Sequence, residues 1–177
     1  MLGVILSLYL LVPGPKLPPL DLPESLKSDE PGDTYQIFQA SAYYTDKERE
    51  EVISFYDQYF SHSSFLNFPL FTYRLNHPPE YAREIWVDTK QSYYLEEIVN
   101  PFRGSLYVNG YEWARDVFTP VEAREQYALI VGGRVWPSKV SLRYFSSFWI
   151  VRLVVFWASW LMLGWIIGLW AKEFKRR

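Results

Sequence analysis

The chain has 177 residues, 19% of them aromatic and only 21% charged, which is too apolar a composition for a disordered chain. Cysteine is absent, which excludes disulfides, thiol catalysis and cysteine-based zinc sites while leaving the redox compartment open. The net charge of −2 hides an asymmetry: Pro13 to Ser147 hold 13 Lys/Arg against 19 Asp/Glu, whereas the last six residues carry four basic groups and one acid. An acidic domain of this kind has no basic groove for phosphates, so no nucleic-acid partner is expected.

Residues 1–12 (MLGVILSLYLLV) are apolar but would reach only about 18 Å as a helix, well short of a bilayer. They lack the basic start and small-residue cleavage site of a signal peptide. Three readings compete: a degenerate signal, an interfacial segment, or the end of a longer helix that starts upstream of Met1. The last is favoured, because it would give two anchors with both termini inside. Residues 13–33 then carry half of the chain's 12 prolines. Proline fixes φ and removes a donor, so this stretch reads as an extended spacer, with a docked recognition segment as the alternative.

The folded domain is expected over 34–147. TYQIFQASAYY reads as a strand. Thr45 to Glu48 fits a capping box and predicts a helix over 46–60, with Val52, Ile53, Tyr56, Tyr59 and Phe60 on one buried face. Ser61 to Ser64 end it. Pro69 to Asn76 suit a short strand, and Pro78-Pro79 suit the first turn of a second helix reaching about Thr89. Gln91 to Val99 alternate as a strand, Asn100 to Gly104 supply a turn, and Ser105 to Val108 return. Asn109-Gly110 is a turn signal, and Thr119-Pro120 a plausible start for a short helix. The clearest hairpin joins Tyr127–Val131 to Arg134–Tyr144 through Gly132-Gly133, with Val140, Leu142 and Tyr144 on one side. Pro137 suggests a bulge or an edge position in its returning arm. The sum is an α+β fold: a mostly antiparallel sheet with one or two packed helices, plus a C-terminal transmembrane helix.

That last element is the strongest signal. Leu153 to Ala171 run for nineteen residues without a charge, about 28 Å as a helix against a roughly 30 Å hydrocarbon core. The expected span is 148–171, followed by a basic tail at 172–177. Lys172, Lys175, Arg176 and Arg177 against its end invoke the positive-inside rule, so the C-terminus should be cytoplasmic and the acidic domain extracytoplasmic, in a single-pass or two-pass arrangement. Trp149 and Trp170 suit the two interfaces, and Arg152 should snorkel to the outer headgroups. Trp157, Trp160 and Trp165 lie deeper. Trp160, Gly164 and Gly168 share one face, and a G-x-x-x-G spacing permits close approach of a partner helix, either a second copy or an N-terminal helix.

The stretches DLPESLKSDEPGDT, NHPPEYAREIW and YYLEEIVNPFRGSLYVNGYE, with the hairpin-then-membrane ending, resemble a group of membrane-anchored proteins of unknown activity from uncultured, small-genome bacteria. The resemblance covers most of residues 20 to 150. It implies an architecture and no catalytic residue, and it implies a complete helix at the N-terminus.

Reactive constellations are scarce. His77 and Glu80, three apart, would need a third ligand to hold a metal, and a polar pre-helix role is the simpler account. His62 suits a solvated loop. Glu96 and Glu97, adjacent on a strand, must point to opposite faces and cannot flank one bond. Glu80, Glu84 and Asp88 would form a helical stripe, ordinarily a solvated face. No nucleophile elbow, Walker loop, dinucleotide fingerprint or zinc-helix motif occurs, and no cofactor is expected. Trp86, Trp113 and Trp136 are expected in the core, with a sugar- or peptide-stacking surface as the alternative. These observations favour a non-catalytic, membrane-anchored binding or scaffolding domain of the bacterial cell envelope, whose partners are the lipid bilayer, an envelope protein or polymer, and a helix partner. The alternatives are a carboxylate-dependent envelope hydrolase, using groups such as Glu80, Asp88 or Glu97, and an accessory subunit of a membrane transporter.

Overall fold

The computed structural model of the chain describes residues 2–12, 19–34, 36–61, 70–85 and 92–176. Its elements are α1 (Leu2–Leu11), β1 (Ser25–Lys27), β2 (Ala40–Thr45), α2 (Arg49–Ser61), β3 (Tyr73–His77), α3 (Pro79–Ile85), β4 (Tyr94–Asn100), β5 (Gly104–Glu112), β6 (Leu129–Val131), β7 (Arg134–Trp136), β8 (Ser138–Ser146) and α4 (Trp149–Arg176). Two units separate along the chain, Gly14–Ser146 and the pair of terminal segments Met1–Pro13 and Ser147–Arg177.

The first unit is α+β. Six strands pair antiparallel in the order β1-β2-β8-β5-β4-β3. The period-2 pattern of β8 explains its central place: Val140, Leu142 and Tyr144 are buried on one face, while Ser141 and Arg143 lie half-buried on the other. On the first face α2 lays Val52, Ile53, Tyr56 and Phe60 against Ile98, Leu106, Val108 and Leu142. Tyr59, expected with them, is half-buried at the margin.

Several expectations are corrected here. The Pro-rich stretch is no free spacer over its described part: Leu22 joins the core, β1 pairs with β2, and Ser28 is buried. Glu30 and Asp33 reach Lys139 on β8 at 3.1 and 2.7 Å. The prolines flank this edge strand rather than enter it, so none of its ladder donors is lost. The helix starts at Arg49 rather than Asp46, because Thr45 completes the ladder with Ser138 and is buried. One arm of the cap moves three residues on, with the Glu48 N–H donating to Glu51 Oε2 at 3.0 Å. Pro137 does not bulge or edge the returning arm; it divides it. Lacking an N–H, it separates a two-stranded β6–β7 hairpin from β8. Gly132 and Gly133, at φ +62° and +75°, close that hairpin. Asn109-Gly110 is no turn, since both lie inside β5, with Gly110 opposite Tyr94. The short helix after Pro120 is a 3-10 segment, Val121–Tyr127. The expected ends of α2 and α3 in 62–69 and 86–91, including His62, Trp86 and Asp88, lie outside the described residues.

In the second unit, α4 runs 28 residues and is long and apolar enough to cross a membrane. It continues through the basic tail, so Lys172 and Lys175 extend the same helix. None of its apolar stretch is buried within the protein, so it is no core helix. The ten-residue α1 packs against it, where a Cβ on Gly3 would lie 3.5 Å from the Trp157 indole. Among the described residues, nothing lies within 4 Å of a Cβ built at Gly164 or Gly168.

Candidate binding face

Registers across the sheet decide which side chains meet. Leu75 on β3, Glu97 on β4, Tyr107 on β5 and Arg143 on β8 form one cross-strand row on the face opposite α2. The next row holds Tyr73, Val99, Ser105 and Phe145. His77 Nε2 lies 3.2 Å from Glu97 Oε2, and the imidazole stacks on Tyr107 with centroids 6.1 Å apart. Phe145 meets Tyr107 edge-on at 5.5 Å, and the Arg143 guanidinium lies 4.9 Å over the Phe145 ring. Burial, and then the adjacent Glu97 carboxylate, push the Tyr107 hydroxyl up to about 12. It therefore stays protonated and donates to Glu97.

This row is half-open, whereas Leu95, Asn109 and Ala42 in the row beyond it are buried. Burial, and then the negative charges of Asp116 and Tyr127, raise the Tyr111 hydroxyl on the same face. The result is a shallow floor of rings with one guanidinium and one imidazole–carboxylate pair. Such a floor can stack on flat groups and hydrogen-bond their edges.

The buried carboxylates are each matched. Glu96, only 4% exposed at its side chain, points to the α2 face and accepts from Arg49 Nε at 3.0 Å; Arg74 lies 3.9 Å away. Glu97 points to the opposite face, as strand geometry requires. Glu112 faces Arg115 at 3.1 Å, yet burial outweighs that guanidinium and holds its carboxyl above the ordinary value. Asp57 is likewise raised by burial, against Arg74 at 3.6 Å.

The expected site residues distribute unevenly. His77 is brought to Glu97, twenty residues on, rather than to Glu80, which stays exposed on α3. No group of three or more His, Asp or Glu placed to hold a metal occurs among the described residues. Trp136 is buried, with Arg134 stacked 4.1 Å over its ring, and Trp113 donates to its carbonyl at 3.0 Å. On α4, Trp149, Trp160 and Trp170 are exposed, Arg152 is half-buried, and Arg176 is helical while Arg177 lies outside the described residues. Tyr107, Arg143 and Phe145 were missed as site residues. Their alternation with core positions was visible, but which strands stand side by side was not. No family model, no curated protein and no solved structure matches this chain.

Proposed function

We propose that the chain is a membrane-anchored, extracytoplasmic domain of the bacterial cell envelope that binds a protein or polymer partner and performs no chemistry of its own. The observation that carries this reading is α4, a 28-residue helix none of whose apolar stretch is buried, joined by only Ser147 and Phe148 to the last strand of a folded sheet. In water each of its large apolar side chains would forgo about 1.5–3 kcal/mol of burial; in a bilayer that cost vanishes. Trp149 and Trp170 are 21 residues apart, about 31 Å along the helix, which suits an indole at each interface. The basic tail supports a cytoplasmic C-terminus and an outside domain. The half-open Tyr107–Arg143–Phe145 floor supports recognition. A hydrolase would need two open, convergent acids, whereas Glu96, Glu97 and Glu112 each face a cation or an imidazole.

The test has two stages. Carbonate-washed membranes should retain the full chain, and protease added to cells stripped of their outer layer should digest the sheet domain. Release by carbonate, or a protected domain, overturns the placement. A photo-crosslinker at Ser105 should then capture a partner that is lost on Tyr107→Ala and Arg143→Ala; capture that ignores both substitutions overturns the face. A second reading, an accessory subunit of a membrane transporter, draws on the open Gly164 and Gly168. It gains if Gly164→Ile with Gly168→Ile, rather than Tyr107→Ala, abolishes the captured complex.

A further inference from the structure

One end of the sheet is built unlike the other. At the end formed by the starts of β2, β3 and β5 and the finishes of β4 and β8, four phenylalanines stand out into solvent. Phe38 before β2 is 79% exposed, Phe71 before β3 is 64% exposed, Phe102 in the β4–β5 turn is 82% exposed, and Phe145 lies on the last turnout of β8. In the described segments that form this end, 36–40, 70–73, 99–105 and 144–146, Arg103 is the one charged residue, and it is 2% exposed; the Arg143 guanidinium, one row further in, lies over the Phe145 ring. The opposite end carries Asp46, Lys47, Glu48, Glu112, Arg115 and Arg134. Two of the tips are held at a backbone cost: Gln39 and Phe102 have φ +61°, a region in which glycine would carry no penalty. A bulky ring kept there is bulk directed outward.

A group of exposed rings gathered at one end of a folded sheet marks a contact surface, and the chain itself points to what it meets. β8 finishes at Ser146 on this rim, and the apolar helix begins at Trp149, so at about 3.8 Å per residue the rim is tethered within roughly 11 Å of the helix start. We propose that Phe38, Phe71 and Phe102 insert into the headgroup–acyl boundary of the bilayer, seating the sheet on the membrane surface by its aromatic end. This rests on the anchoring reading above. It makes the anchor a three-point contact rather than a tether, and it directs the Tyr107 floor sideways, along the membrane.

The absence of cysteine makes the test clean. Phe38→Cys, Phe102→Cys, Val135→Cys and Leu161→Cys, each in the full chain, carry a nitroxide in phosphatidylcholine vesicles, with thermal melts confirming that each variant is folded. Collision with a water-soluble nickel chelate should be several-fold lower at 38 and 102 than at 135, on the β6–β7 hairpin, and lowest at 161. If 38 and 102 collide as freely as 135 while 161 remains shielded, the rim contact is refuted and the anchor stands. If 161 is itself open to the chelate, the anchoring reading fails and the rim proposal falls with it.

Discussion

Gly110 is the residue whose replacement tests the packing of the sheet most sharply. It lies inside β5, opposite Tyr94 on β4, and the Tyr94 ring lies flat across it. A Cβ at this position would come within 2.0 Å of Cε1, 2.1 Å of Cζ and 2.7 Å of Cδ1. Carbon atoms at rest stay about 3.5–4.0 Å apart, so the ring would have to move by roughly 1.5–2 Å. It has little room: Tyr94 is buried, the Arg49 guanidinium covers it at 5.4 Å, and the Tyr93 N–H binds the Gly110 carbonyl at 2.7 Å. Either the strands part, or the ring leaves the core and loses about 1.5–3 kcal/mol of burial. Gly110→Ala should therefore destabilise by about 3 kcal/mol, at the upper end of overpacking costs. For a domain of this size that is about 10 °C in Tm. The sign is diagnostic, because without the clash alanine in a strand would gain about 0.5–1 kcal/mol over glycine. Urea titration of the full-length chain in mild detergent, followed by near-ultraviolet circular dichroism, reads the effect. In a Tyr94→Ala background the same change should cost nothing. A neutral or stabilising Gly110→Ala in the parent chain would refute the stacking.

Two further outcomes follow from buried charge and from titration. Arg49→Met leaves Glu96 buried with only Arg74 at 3.9 Å, and should cost about 2–3 kcal/mol, discounted from the usual 3–5 because Arg49 is a third exposed. Arg49→Met with Glu96→Leu should recover most of it, and a double variant as unstable as the single would show that the pair is not the cause. At high pH, Tyr107 at about 12, with Tyr56 and Tyr94 raised by burial beyond it, each hold their proton more tightly in the folded state than in the unfolded one. Their contribution is complete below pH 10, the ordinary tyrosine value, and is lost as pH rises through the folded values. Urea midpoints should fall steadily from pH 10 to 12, less steeply in Tyr107→Phe; a flat profile would contradict the burial of these phenols.

Much of the fold was legible because it is local. The 3.6-residue spacing of Val52, Ile53, Tyr56 and Phe60 marks the face of α2, and the alternation through Val140, Leu142 and Tyr144 marks the inner face of β8. That Glu96 and Glu97 part to opposite faces follows from the strand alone. Misreadings arose where a local signal met a distant partner. Asn-Gly favours a turn in isolation, but here Gly110 lies within a strand and leaves room for a ring sixteen residues earlier in the chain. Six prolines argue against a strand, yet three residues among them found the free edge of β2. Thr45 has the side chain of a helix cap, but its backbone is claimed by β8, its carbonyl accepting from the Ser138 hydroxyl ninety-three residues away.

What the residues determine unaided is the uncharged nineteen-residue run, the basic stub behind it and the acid balance of the domain, because length, apolarity and charge act without any partner. Tertiary structure alone decided the Tyr107–Arg143–Phe145 floor, the His77–Glu97 pair and the gathering of Phe38, Phe71 and Phe102 at one end. Each depends on which strands lie side by side and in what register. Register is set by the sum of cross-strand contacts over the whole sheet, a quantity that no single segment carries.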